Sequence, residues 1–144
     1  MFNSILVICT GNVCRSPLGE RFLRQLLPGI QVDSAGTHSL VGRPADERVL
    51  QIAATHGLSL DGHIACTISR PMMKRYDLIL AMASEHIRHV TALAPEVRGK
   101  TLLFGQWLGG EDVPDPFHQS HQVFEHVYRL VEQASLEWAR KLKK

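Results

Sequence analysis

The sequence has no apolar run long enough to cross a bilayer, which excludes a membrane-spanning helix and insertion through one. It has three cysteines, an odd count with no paired framework. That excludes a disulfide-stapled scaffold and suits a reducing, cytoplasmic compartment. Sixteen basic residues stand against 14 acidic ones, and a net charge of +2 is too slight to mark a nucleic-acid or membrane surface. Two nucleotide-binding loops are missing, because there is no G-x-x-x-x-G-K-[ST] and no G-x-G-x-x-G. The first apolar stretch is short and follows no basic leader, so it does not read as a signal peptide. No internal repeat or low-complexity run is present. His86/His89 and His118/His121 have helix-like i,i+3 spacing, but no carboxylate or cysteine completes a metal set. They read as exposed, and no metal or cofactor is expected.

The chain does have the size and content of one globular domain, residues 1–144, with 44% hydrophobic and 21% charged residues. Residues 5–8, 30–32, 77–82 and 101–104 read as strands. Between them lie helical patterns. The first has Leu18, Phe22, Leu23, Leu26 and Leu27 on one face and stops at Pro28-Gly29. The next runs from a cap at Asp46 through Ala54, with Val49, Ile52 and Ala53 inward. Residues 70–76 form a short helix or turn. Ser84 caps a helix that turns Ile87, Val90, Leu93 and Ala94 inward. A last helix spans about 120–142, with Val123, Val127, Leu130, Ala134 and Trp138 inward. Ser34-Ala-Gly-Thr37 is a turn by composition. Alternating strands and helices predict an α/β fold with a parallel sheet covered on both faces.

The most informative stretch is Cys9-Thr10-Gly11-Asn12-Val13-Cys14-Arg15-Ser16-Pro17. It joins a buried strand to the start of a helix. A lone cysteine at a strand end is most often a small buried hydrophobe. Cys-x5-Arg-Ser at such a junction is far more specific. The N–H groups of a tight loop form an anion cradle, and the helix N-terminus adds unpaired N–H groups and partial positive charge. Arg15 supplies a planar fork that grips two phosphate oxygens. Gly11 eases the turn, and Asn12 tolerates a left-handed backbone. The same field favours the thiolate of Cys9, aimed at a phosphorus atom.

These residues resemble the signature loop of the low-molecular-weight protein tyrosine phosphatase family. The likeness extends over nearly the whole chain and is closest to bacterial members associated with exopolysaccharide and capsule production. It implies a three-layer sandwich, a four-stranded parallel sheet flanked by helices, flavodoxin-like and of the phosphotyrosine phosphatase I type. It also implies that residues Thr10 to Ser16 hold the phosphate and that Ser34 and His63 support the loop through Asn12. Leu40 stands where relatives often carry an aromatic wall for the substrate ring. Cys66 stands where many have Arg, which puts a local ion pair in doubt.

Val113-Pro114-Asp115-Pro116-Phe117 is the second informative motif. Two prolines restrict the backbone around one carboxylate. Asp-Pro also begins ordinary turns. The family's Asp-Pro-Tyr loop assigns Asp115 as general acid, with Phe117 beside the substrate ring. Glu111 and Asp112 are rival carboxylates.

The resemblance thus implies a cytoplasmic phosphatase acting on phosphotyrosine in proteins, with a tyrosine autokinase as partner. Its parts are Cys9 as nucleophile, Arg15 as transition-state clamp, Asp115 as acid, and Ser16 as hydrogen-bond donor to the thiolate. An arsenate reductase of the same fold needs further thiols, and only Cys66 lies outside the loop. A cysteine phosphocarrier has no need of Asp115. Cys14 either packs beneath the loop or closes a disulfide with oxidised Cys9, and both readings stay open.

Overall fold

A computed structural model describes residues 2–143. Among these residues four strands form one sheet in the order β2-β1-β3-β4. The strands are β1 (Ser4–Cys9), β2 (Gln31–Gly36), β3 (Leu78–Ala81) and β4 (Thr101–Leu103). Every pairing is parallel, as the alternating pattern requires. The helices are α1 (Arg15–Leu26), α2 (Glu47–Thr55), α3 (Arg70–Lys74), α4 (Ser84–Leu93) and α5 (His121–Leu142). A 3-10 turn, Pro95–Lys100, leads into β4.

The unbroken apolar run in β1 follows from burial on both faces. Ile5, Val7 and Cys9 join the core shared with α1, α2 and α5. Leu6 and Ile8 join the opposite core, to which Met73 of α3 and Val90 of α4 contribute. Successive strand side chains alternate faces, so a strand covered twice has no polar position to spare. The three layers are therefore a helical layer, the parallel sheet, and a second helical layer.

Three expectations are corrected. Ser34, Ala35 and Gly36 are not a turn but the end of β2, paired with Val7, Ile8 and Cys9. Their turn-like composition reflects close approach, because a Cβ at Gly36 would collide with the Thr10 carbonyl oxygen. Ser84 does not cap α4; Ala83 holds that position, and Ser84 gives its N–H and Oγ–H to Asp112 at 2.9 Å each. Leu93 and Leu130 are not core residues. Leu93 is exposed and Leu130 half-buried, while His86 in α4 and Tyr128 and Val131 in α5 turn inward. Asp46 does cap α2, accepting the Arg48 N–H at 2.9 Å.

The chain leaves β1 for β2 on one side and later returns to place β3 on the other. The carboxyl end of β1 is thus the point where strand order switches. A crevice opens there in sheets of this kind, and Cys9 is the last residue of the strand.

Candidate active site

The loop from Cys9 to Arg15 is held open from outside. The carbonyls of Cys9, Thr10, Gly11 and Val13 accept N–H bonds from Thr37, His38, Leu40 and Asp46 at 2.8–3.1 Å. His63 Nε2 binds the Asn12 carbonyl at 2.6 Å. Each trans peptide points its N–H opposite its C=O, so outward carbonyls turn the following amides inward. Asn12 makes the turn with φ +58°, a left-handed conformation that few side chains accept. Arg15 opens α1, and Pro17 sits in its first turn, where a missing N–H breaks no helical bond.

Behind the loop runs a buried polar chain. Ser16 Oγ lies 2.9 Å from Cys9 Sγ, and the Ser16 N–H reaches the same sulfur at 3.4 Å. The Asn12 side-chain amide donates to Ser16 Oγ at 2.8 Å and to Ser34 Oγ at 3.0 Å. Ser34 Oγ–H donates in turn to Glu20 Oε1 at 3.0 Å. Asn12 Oδ1 accepts the Cys66 N–H at 3.0 Å, and the Cys66 thiol donates to the Ser34 carbonyl. With Asn12 donating to Ser16, the Ser16 proton is directed at the sulfur of Cys9. Glu20, at the end of this chain, escaped the sequence reading. A carboxylate in the first turns of a helix reads as a surface residue favoured by the dipole. Here it is 4% exposed and also accepts from Arg21 Nε at 2.8 Å.

The cleft in front of the loop holds about 150 Å³. Cys9, Arg15, Asp115, Leu40 and Phe117 all line it. Arg15 is 2% exposed; its Nη1 donates to the Val113 carbonyl at 2.9 Å and its Nη2 to Thr10 Oγ1 at 3.3 Å. Asp115 Oδ2 stands 3.7 Å from Nη2, and its Oδ1 accepts the Phe117 N–H at 3.1 Å. That last bond and the flanking prolines fix where the carboxylate points. Val113 is anchored to the end of β3 through the Met82 carbonyl at 2.7 Å. Of the rival carboxylates, Asp112 is occupied by Ser84, and Glu111 is exposed outside the cleft lining. Cys14 is buried, and that burial, reinforced by the Asp46 charge, pushes its thiol far up, so it stays protonated at neutral pH.

Comparison with known proteins decides the family. A family model described as low molecular weight phosphotyrosine protein phosphatase matches residues 4–144. The chain is 60% identical over 141 residues to the low molecular weight protein-tyrosine-phosphatase Etp of Escherichia coli K12, covering 98% of this chain and 95% of that one. The chain belongs to the low molecular weight protein-tyrosine phosphatases. The phosphatase also superimposes on the Wzb enzyme of Escherichia coli K30 in complex with sulphate. That match has a TM-score of 0.97 at 50% identity and covers 99% of both chains. Vibrio vulnificus Wzb in complex with benzylphosphonate gives 0.96 at 44% identity, over 99% of this phosphatase and all of that chain.

Two histidines of the phosphatase depart from the expectation that they are exposed. His86 is buried beneath the loop, while its neighbour His89 is half-buried against His38. Among the described residues no group of three or more His, Cys, Asp or Glu side chains could hold a metal ion. His86 Nε2 contacts Thr10 Oγ1 at 2.8 Å, and Nδ1 accepts the Ala83 N–H at 3.0 Å. Burial first, then the nearby Arg15 charge, hold its pKa down from 6.5 to about 4. The unfolded chain takes up this proton near 6.5, whereas the folded protein resists until about 4. Between those values the unfolded state binds more protons, so stability falls as pH falls. Urea unfolding should show a loss of about 2–3 kcal/mol between pH 7 and pH 4.5. The carboxylates held low, Asp33, Asp77 and Glu96, act mainly below that window. An unchanged unfolding free energy across it would contradict the buried neutral imidazole.

Proposed function

We propose that the phosphatase hydrolyses phosphotyrosine in proteins through a phosphocysteine intermediate on Cys9. The observation that carries this reading is the convergence of Cys9, Arg15 and Asp115 on one cleft. In the first step the Cys9 thiolate attacks phosphorus in line and the bond to the phenolic oxygen breaks. Asp115 gives its proton to that oxygen. Arg15 and the inward amides stabilise the equatorial oxygens as charge develops. In the second step Asp115 takes a proton from water, the water oxygen attacks phosphorus, and the sulfur–phosphorus bond breaks. The Ser16 hydroxyl, aimed at Sγ, stabilises the departing thiolate.

Leu40 and Phe117 form the apolar walls of the proposed aryl site, each 39% exposed. Both come from segments that follow the loop in sequence, and both reach the cleft. Relatives in complex with sulphate and with benzylphosphonate fit the same reading, a tetrahedral oxyanion next to a ring. The arsenate-reductase alternative has less support, because Cys66 lines a separate cavity with Glu20, Asp33 and Tyr76. The cellular substrate in this proposal is an autophosphorylated tyrosine kinase in exopolysaccharide or capsule regulation, met in the cytoplasm, where the thiols stay reduced.

Steady-state hydrolysis of matched phosphotyrosine and phosphoserine peptides tests the substrate class. The apolar walls predict a preference of roughly 10²-fold in kcat/KM for phosphotyrosine. Equal values for the two peptides would overturn it.

A further inference from the structure

The chemistry just set out makes no use of His86 or of the Thr10 side chain, yet both are held by defined hydrogen bonds. The Ala83 N–H can only donate, so His86 Nδ1, which accepts from it, carries no proton. The ring proton is therefore on Nε2, and Nε2–H donates to Thr10 Oγ1. Arg15 Nη2 donates to the same oxygen. A hydroxyl oxygen has two lone pairs, and both are now engaged. The Thr10 hydroxyl proton is left with one role, that of donor. Thr10 lines the cleft alongside Cys9 and Arg15.

We propose that Thr10 Oγ1 is an additional side-chain donor to the bound phosphoryl group, and that His86 is the positioning residue that commits it to that role. Two donors converge on one oxygen, Arg15 from the start of α1 and His86 from α4. Without His86, Thr10 has a free lone pair and its hydroxyl is free to rotate. Without the Thr10 oxygen, Arg15 Nη2 loses an acceptor that seats it at the cleft. The inference rests on the phosphate-binding reading of the cleft and adds to it a contact that runs through a side chain instead of the backbone.

The test is competitive inhibition by inorganic phosphate during p-nitrophenyl phosphate hydrolysis. Wild type is compared with Thr10→Val, Thr10→Ser, His86→Phe and the double variant Thr10→Val/His86→Phe. Valine keeps the shape of Thr10 but removes the hydroxyl. Its inhibition constant should rise roughly tenfold, the lower range for a hydrogen bond to a charged group. Thr10→Ser should recover most of that loss. His86→Phe, which keeps a ring but has no donor, should weaken phosphate in the wild-type background and add little in the Thr10→Val background, because the relay is already broken. A purely structural role for His86 would give the same cost in both backgrounds. Thermal midpoints of the Thr10 variants check that folding is intact. Phosphate competing equally with wild type and Thr10→Val would overturn the relay while leaving the cleft assignment standing. Phosphate failing to compete even with wild type would overturn the cleft assignment itself.

Discussion

Cys9→Ser will lose turnover by roughly 10⁵–10⁶-fold, the scale on which removal of a catalytic nucleophile acts, while still binding phosphate. The two effects separate because the cradle and the nucleophile are built from different atoms. The inward amides depend on carbonyls tied to Thr37, His38, Leu40 and Asp46, none of which touches the sulfur. Arg15 is seated by Val113 and Thr10. A serine hydroxyl at position 9 keeps all of this and remains un-ionised at neutral pH. Isothermal titration with phosphate and a phosphotyrosine-peptide assay measure the two properties on one preparation. Near-normal turnover would remove Cys9 from the mechanism, and loss of phosphate binding would mean that the sulfur itself shapes the loop. Arg15→Lys belongs to the same argument. A lysine cannot serve Val113, Thr10 and two phosphate oxygens from a planar fork, and a loss of about 10²–10³-fold in kcat is expected.

The second large effect depends on the leaving group. Phenyl phosphate departs as a basic phenolate and needs a proton, whereas p-nitrophenyl phosphate departs as a stabilised anion and needs it much less. Asp115→Asn keeps an oxygen to accept the Phe117 N–H and keeps both prolines, so the shape of the segment survives. It should lower kcat/KM by roughly 10²–10⁴-fold for phenyl phosphate, the range for a positioned acid. The loss for p-nitrophenyl phosphate should be distinctly smaller. The ratio must be read in kcat/KM, because kcat also reports breakdown of the intermediate. Glu111→Gln and Asp112→Asn are controls. Asp112 is engaged with Ser84 at the start of α4, so its replacement acts on stability and not on the leaving-group dependence. Equal losses on both substrates in Asp115→Asn would take the acid role away from Asp115.

The parts of this molecule that were legible in its sequence are those written in contiguous residues. The apolar run of β1, the cap of α2 and the Cys9-x5-Arg15 spacing each reside within one segment. What escaped depends on register between segments. Ser34 reads as a turn residue until β2 is laid against β1, with Val7 opposite it. Glu20 reads as a solvated charge until that same pairing brings Ser34 to its carboxylate. His86 reads as one of a pair of surface histidines. Only the placement of β3 next to β1 carries α4, and with it the imidazole, under Thr10. Leu93 shows the converse, since helical periodicity puts it inward but α4 ends there and the chain turns away through Pro95. Short-range patterns report which residues are apolar; they do not report which neighbour the sheet order supplies.

The central claim is that phosphorus passes through the sulfur of Cys9. It is tested most directly by denaturing the phosphatase during turnover of a phosphotyrosine peptide and mapping the covalently held phosphoryl group by mass spectrometry. The account predicts a single modified site, Cys9, and none in Cys9→Ser. A phosphoryl group on any other side chain, or turnover in which no enzyme-bound phosphorus forms, would contradict it.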